Sequence, residues 1–341
     1  GNELGAGGFE QDAIVPTGRD ILSITEPMDA GDLKLGATLR DLQLIDEESL
    51  TALLMEARRQ RRSLRQVLLA GGVVTVYQLA LIEAGNVAGL MLGPVRVIDR
   101  LRATPHEAVY RVFDPRRGRE AVLRHLSAEA LHHAGRADEF RQCFTQALGA
   151  DAHRAETYEV LEWAERPAVL QEWLSGLPAS DWPPLAAAPG VCFRLVTQAA
   201  LGLSTAHKAG LVHGQLDDTA LLLTGEGIVK LCGLGEPAWL AGKATRQSAN
   251  PADDLQALGR IAAGWCLPDG VRKGAKTKPL PDALATVLQR LADGRYESAA
   301  QLLDDLDRAG SDVPPNAEAW DRLLKYVREH ETPEALLRLS A

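Results

Sequence analysis

The sequence predicts an α+β chain in which a small helical module precedes a β-rich segment that leads into a helical one. Three observations carry that prediction. Residues 38–89 repeat a cap followed by apolar residues at helical spacing. Residues 94–126 break into three short β-like runs separated by turn residues, and beyond Pro189 the texture becomes mainly helical.

Each element has a local reason. Residues 1–37, rich in Gly, Asp and Pro, read as a flexible N-terminal segment. In the helical module, 38–91, Asp46 caps a helix carrying Leu50, Leu53, Leu54 and Ala57; Ser63 caps a second that Gly71 and Gly72 end; and Thr75 caps a third. Runs at 95–101, 108–113 and 120–126 predict three antiparallel strands, with Asp114-Pro115 and Arg117-Gly118 as turns. A helix at 138–148 and strands at 157–163 and 168–173 follow, then a helix at 191–209 and a short hairpin around Thr224-Gly-Glu-Gly227. At 316–339, Trp320, Leu323, Leu324 and Val327 share one helical face ahead of a turn at Thr332-Pro333 and a second short helix. That face packs back on the chain or docks a partner.

Composition narrows the function. With 46 % apolar and 24 % charged residues, the chain has material for a large core and is not a disordered or collagen-like protein. A net charge of −9 argues against a dedicated nucleic-acid binder, whose affinity comes largely from neutralising phosphates. The cysteines Cys143, Cys192, Cys232 and Cys266 form no zinc-spaced cluster and read as buried thiols of a reducing, cytoplasmic setting. No apolar run is long enough to span a bilayer, because the best candidate contains Glu83, Asn86, Pro94 and Arg96. The cluster Arg58, Arg59, Arg61, Arg62 and Arg65 reads as a solvated helix face, with an anionic partner as the sharper alternative.

The stretch from Leu211 to Leu223, LVHGQLDDTALLL, and the following TGEGIVKLCGLG to Gly235 resemble the catalytic-loop-to-metal-loop region of bacterial, planctomycete-type Ser/Thr protein kinases. The runs LGPVRVIDRL from Leu92 and AVYRVFDPRRGREAVLRHL from Ala108 look like the first three strands of that family. DLQALG from Asp254 and RYESAAQLL from Arg295 look like its later helices. The resemblance implies a two-lobed kinase-like domain over 92–310, with a β-rich upper lobe, a helical lower lobe and a C-terminal helical tail at 311–341.

It also implies a degenerate site. Phosphoryl transfer needs a glycine loop over the phosphates, a strand Lys, a catalytic Asp, and an Asn and a second Asp for magnesium. Arg102, Thr104 and Glu107 stand at the three loop glycines, and Glu107 adds a like charge toward phosphate. Arg124 replaces the Lys, and its helix partner aligns with Cys143 or Glu139. His213-Gly214-Gln215 replaces His-Arg-Asp, so an amide stands where the base should be. Ala220 and Gly233 replace the metal ligands. His213 and Leu234 are expected to stack in the internal spine, Asp254 to brace the loop backbone, and Trp173 to close the adenine side of a vestigial pocket. Arg295 matches a family Arg whose Glu partner is missing here.

These losses predict a pseudokinase that binds neither ATP nor magnesium and works as a scaffold or regulator through protein partners, including an active kinase or its substrate. The rivals are a kinase with unconventional chemistry at Asp217 and an ATP-responsive switch without turnover.

Overall fold

In a computed structural model of the chain, the described residues are 29–183, 185, 188–243, 250–266 and 280–337. The chain divides into two compact units between Ile82 and Glu83.

The first unit contains α1 (Ala30–Asp41), α2 (Glu47–Gln60), α3 (Leu64–Ala70) and α4 (Val76–Glu83), whose last residue lies past the division. Its helix starts are closed by side chains. The Ser49 N–H donates to the Asp46 carboxylate at 2.7 Å, and reciprocal bonds link Ser63 with Gln66 and Thr75 with Gln78. Leu39, Leu50, Leu64, Leu68 and Leu79 are buried, which supplies the packing that short helices need. Helix α1 corrects the reading of 1–37 as a flexible segment: it begins at Ala30 with Asp29 as its cap, while 1–28 lie outside the described residues. Gly31 and Gly36 hide it from propensity, yet a Cβ on Gly36 would sit 2.8 Å from the Leu50 side chain, so α1 uses that glycine for close packing. The five arginines of the basic cluster are exposed, and Arg59 pairs with Glu56 at 2.5 Å.

The second unit opens with a short 3-10 turn and β1 (Met91–Leu92), which pairs with β2 (Val95–Ala103), so the division falls before the residue-91 boundary read from sequence. Strands β3 (Glu107–Asp114), β4 (Arg119–Leu126), β5 (Thr157–Trp163) and β6 (Arg166–Glu172) complete an antiparallel sheet in the order β1-β2-β3-β4-β6-β5. The β3–β4 turn is tied by Asp114, whose fully buried carboxylate accepts from the Arg116 N–H at 2.9 Å and from the Arg117 guanidinium at 2.6 Å. Helix α5 (Arg136–Gln146) lies between β4 and β5 in sequence and buries Phe140 and Phe144 against Leu126 and Val169.

The chain then passes through β7 (Ser175–Pro178) into α6 (Pro189–Lys208), β8 (Leu221–Leu223), β9 (Val229–Leu231), α7 (Pro251–Cys266), α8 (Asp282–Ala292), α9 (Ala299–Gly310) and α10 (Ala317–His330). A second sheet runs β10-β7-β8-β9, where β10 (Thr332–Pro333) leads into α11 (Glu334–Leu337). Strand β7 falls where the sequence reading assigns no element, and β10 replaces the turn read at Thr332-Pro333. Trp182 and Trp265 meet edge to face at 5.2 Å, and Trp320, Leu323, Leu324 and Val327 of α10 join the same core, so that face packs back on the chain. Arg295 departs from expectation: it is exposed, 3.7 Å from Asp293, and needs no buried partner.

Helices α7 and α8 approach closely at Gly259, where a Cβ would stand 2.3 Å from the Ala292 nitrogen and 2.4 Å from the Leu291 carbonyl carbon. Backbone cannot swing aside as a side chain can. Gly259→Ala is therefore expected to lower the unfolding free energy by about 2 kcal/mol or more, read as a reduced urea midpoint at unchanged slope.

Candidate functional site

A cleft of about 520 Å³ lies between the sheet and the helical lobe of the second unit. Its lining brings together Arg102, Thr104, His213, Gln215, Ala220 and Gly233, six of the positions singled out from sequence. Arg124 and Glu107 stand behind that lining, bonded to Glu236 and Arg102, and Trp173 is not part of it.

The β2–β3 turn forms the roof. Thr104 closes it, because its N–H donates to the Glu107 carbonyl at 2.8 Å while its hydroxyl accepts the N–H groups of His106 and Glu107. The tip is pinned at its base too, where the Ser127 N–H donates to the His106 carbonyl at 2.8 Å, and the His106 ring rests edge-on to Trp239 at 5.9 Å. A turn held at so many points does not present the loose row of N–H groups that a glycine loop offers.

Beneath the roof runs an ion network. The Arg124 guanidinium donates to Glu107 (Nε–Oε2 2.8 Å) and to Glu236 (Nη1–Oε1 2.6 Å, Nη2–Oε2 3.0 Å), and Arg102 pairs with Glu107 from the other side. Glu107 therefore does not add an unmatched negative charge: it is 1 % exposed and held by two arginines. Burial works against the charge on Arg124, but the two carboxylates outweigh it and hold its pKa well above the ordinary value. Neither helix position aligned as its partner fills that role. Glu139 instead accepts the Trp239 indole N–H at 2.6 Å, and Cys143 is a buried thiol pushed up to about 12, chiefly by burial. Glu236, two residues past Leu234, is the partner that sequence did not reveal, because a carboxylate 112 residues away leaves no local signal.

The floor is the loop after α6. Asp254, 1 % exposed at the start of α7, accepts the His213 and Gly214 N–H groups, both at 2.8 Å, and lies 2.9 Å from His207 Nε2. His213 is buried with Nε2 2.9 Å from the Cys232 carbonyl. Leu234, expected to stack on it, is half-buried and lines a separate small cavity with Asp151, His153 and Leu211. Asp217 is consumed by the loop: its Oδ1 accepts the Thr219 N–H and hydroxyl and the Ala220 N–H, and Oδ2 faces Lys243 at 3.5 Å. Burial pushes the Asp217 pKa up, but the Thr219 bonds and the Lys243 charge more than offset it, so the net shift is downward.

At the connector between lobes, Trp173 stacks under the Arg111 guanidinium at 5.0 Å and packs beside Val109 and Val122. Glu334 and Leu337 of α11, which sequence did not associate with the site, line the cleft as well.

The order of elements is that of a two-lobed, protein-kinase-like α+β fold: an antiparallel sheet with one helix after its third long strand, a connector, then a helical lobe with a loop braced by an Asp of the following helix. Comparison with solved structures finds the Mycobacterium tuberculosis PknI kinase domain at 20 % identity and TM-score 0.47, over 65 % of this chain and 98 % of that one. A second crystal structure of the same domain is similar at 22 % identity and TM-score 0.46, with 65 % of this chain and 98 % of that one covered. No protein-family model matches the sequence, and no curated protein does.

Three of the positions singled out from sequence have the following chemistry in the cleft. Ala220 ends at a methyl group, Gly233 has no side chain, and the Arg124 fork is already bound to two carboxylates.

Proposed function

We propose that the second unit is a kinase-like domain without phosphotransfer activity, of the bacterial type its motifs resemble. In this reading it works in the cytoplasm as a scaffold or allosteric regulator that binds protein partners, such as an active kinase or its substrate. The observation that carries the reading is the closure of Arg124 on Glu107 and Glu236, which takes up the strand cation that would otherwise meet phosphate oxygens. Gln215 supports it, since a neutral amide does not take up a hydroxyl proton, and losing base, metal ligands and phosphate loop together forfeits several kcal/mol at each step.

The test is a phosphotransfer assay with labelled ATP, magnesium or manganese and a protein acceptor, run beside a thermal-shift titration. Transfer should not rise above the protein-free blank, and saturating ATP should not move the melting temperature. Transfer that Asp217→Ala abolishes would establish an unconventional kinase instead. A metal-independent stabilisation approaching ~2.7 kcal/mol at 100 times the Kd would establish a nucleotide-responsive switch.

A further inference from the structure

One wall of the cleft is made by the end of the described chain, through Glu334 and Leu337. A single residue, Glu331, separates α10 from β10, so the anchored helix delivers the strand directly to the connector between lobes. There β10 pairs antiparallel with β7, Thr332 opposite Gly176 and Pro333 opposite Ser175, and the Glu334 N–H donates to the Leu174 carbonyl at 2.8 Å. The turn of α11 then sends two apolar side chains in different directions. Ala335, 5 % exposed, sits with Val109 of β3 and Val122 of β4, with Trp173 at the margin. Leu337 packs against Leu174, Leu222 and Cys232. Within six residues the segment touches the sheet, the connector and the lower lobe.

We propose that residues 332–337 are a resident peptide ligand at this cleft: a strand that pairs with the β7 edge and two anchors, Ala335 and Leu337, that fill separate apolar pockets on the sheet and beside β8. Strand addition gives affinity through main-chain bonds and selectivity through the side-chain pockets, and here both parts are present. The carboxylate-lined remainder of the cleft, near Gln215, Asp217 and Glu236, stays open to solvent-borne groups. The inference goes beyond the absence of turnover and stands apart from it, because peptide binding is read without nucleotide or metal.

A fluorescein-labelled peptide with the sequence of residues 329–337 tests it by anisotropy. A chain ending at Glu331 should bind the peptide saturably, whereas the whole chain, whose pockets are filled in cis, should bind it at least tenfold more weakly. The same peptide with Ala335→Asp should not bind the shortened chain. Equal binding to both chains, or none to a shortened chain that keeps its cooperative urea transition, overturns the proposal. If the shortened chain does not fold, hydrogen exchange on the whole chain decides: the Glu334 amide should exchange at least tenfold more slowly than in the free peptide, and Ala335→Asp should abolish that protection. Free exchange at Glu334 in the unaltered chain overturns the assignment.

Discussion

Replacing Arg124 with methionine should destabilise the second unit by about 3–5 kcal/mol, visible as a large drop in the urea midpoint. The guanidinium is 5 % exposed and serves two carboxylates, so its removal takes the forked cation from Glu236 and leaves Glu107 to Arg102. Arg124→Lys should recover only part of the loss, because an ammonium is a point charge and cannot fork between Glu107 and Glu236 as the guanidinium does. The double replacement Arg124→Met with Glu236→Leu should be more stable than Arg124→Met alone by at least about 1 kcal/mol, since it also removes a carboxylate that has lost the Arg124 cation. An Arg124→Met midpoint within about 0.5 kcal/mol of the parent would mean that solvent already screens the network, and Arg124 would then not be closed off from phosphate.

Asp254→Ala has a comparable expected effect through a different cause. Two backbone N–H groups and the His207 ring converge on one buried carboxylate, and alanine removes the acceptor that all three share. At about 1–3 kcal/mol for each buried donor left unmatched, a loss of at least about 3 kcal/mol is expected. Asp254→Asn keeps one accepting oxygen and should retain roughly half. The amides of His213 and Gly214 report the mechanism directly: slow hydrogen exchange in the parent, fast in Asp254→Ala. Protection that survives the substitution would show that something other than Asp254 holds the loop.

Where the chain declares its structure locally, the sequence was enough. Asp46, Ser63 and Thr75 cap helices because their short polar side chains reach the exposed N–H groups of the first turn, and that chemistry is written within four residues. The alternating runs of β2 to β4 and the Asp114 turn are similarly self-contained. What stayed hidden is non-local. Strand β7 contains Gly176 and ends at Pro178, and β10 is two residues long, so neither has a period to detect. Their pairing is set by where α10 ends. The same holds in the cleft: Arg102, Thr104, Gln215, Ala220 and Gly233 could each be singled out in the sequence, and the fold gathers them in one lining with Glu107 and Arg124 in the ion network. That Glu107 would become a partner of Arg124, with Glu236 completing the set, depended on the fold bringing three separate loops and strands together. Helix α1 was missed for the opposite reason, since its glycines weaken the local signal while Leu39 and Gly36 serve contacts made later in the chain.

The pairing of Gly176 with Thr332 also has a consequence for biosynthesis. Until residue 332 leaves the ribosome, β7 is the outer strand of its sheet, and at roughly 5–20 residues per second the more than 150 intervening residues keep that side bare for about 8–30 s. An uncovered strand margin is a template for sticking to other nascent chains. The short segment that pairs with it therefore also ends the exposure of that margin.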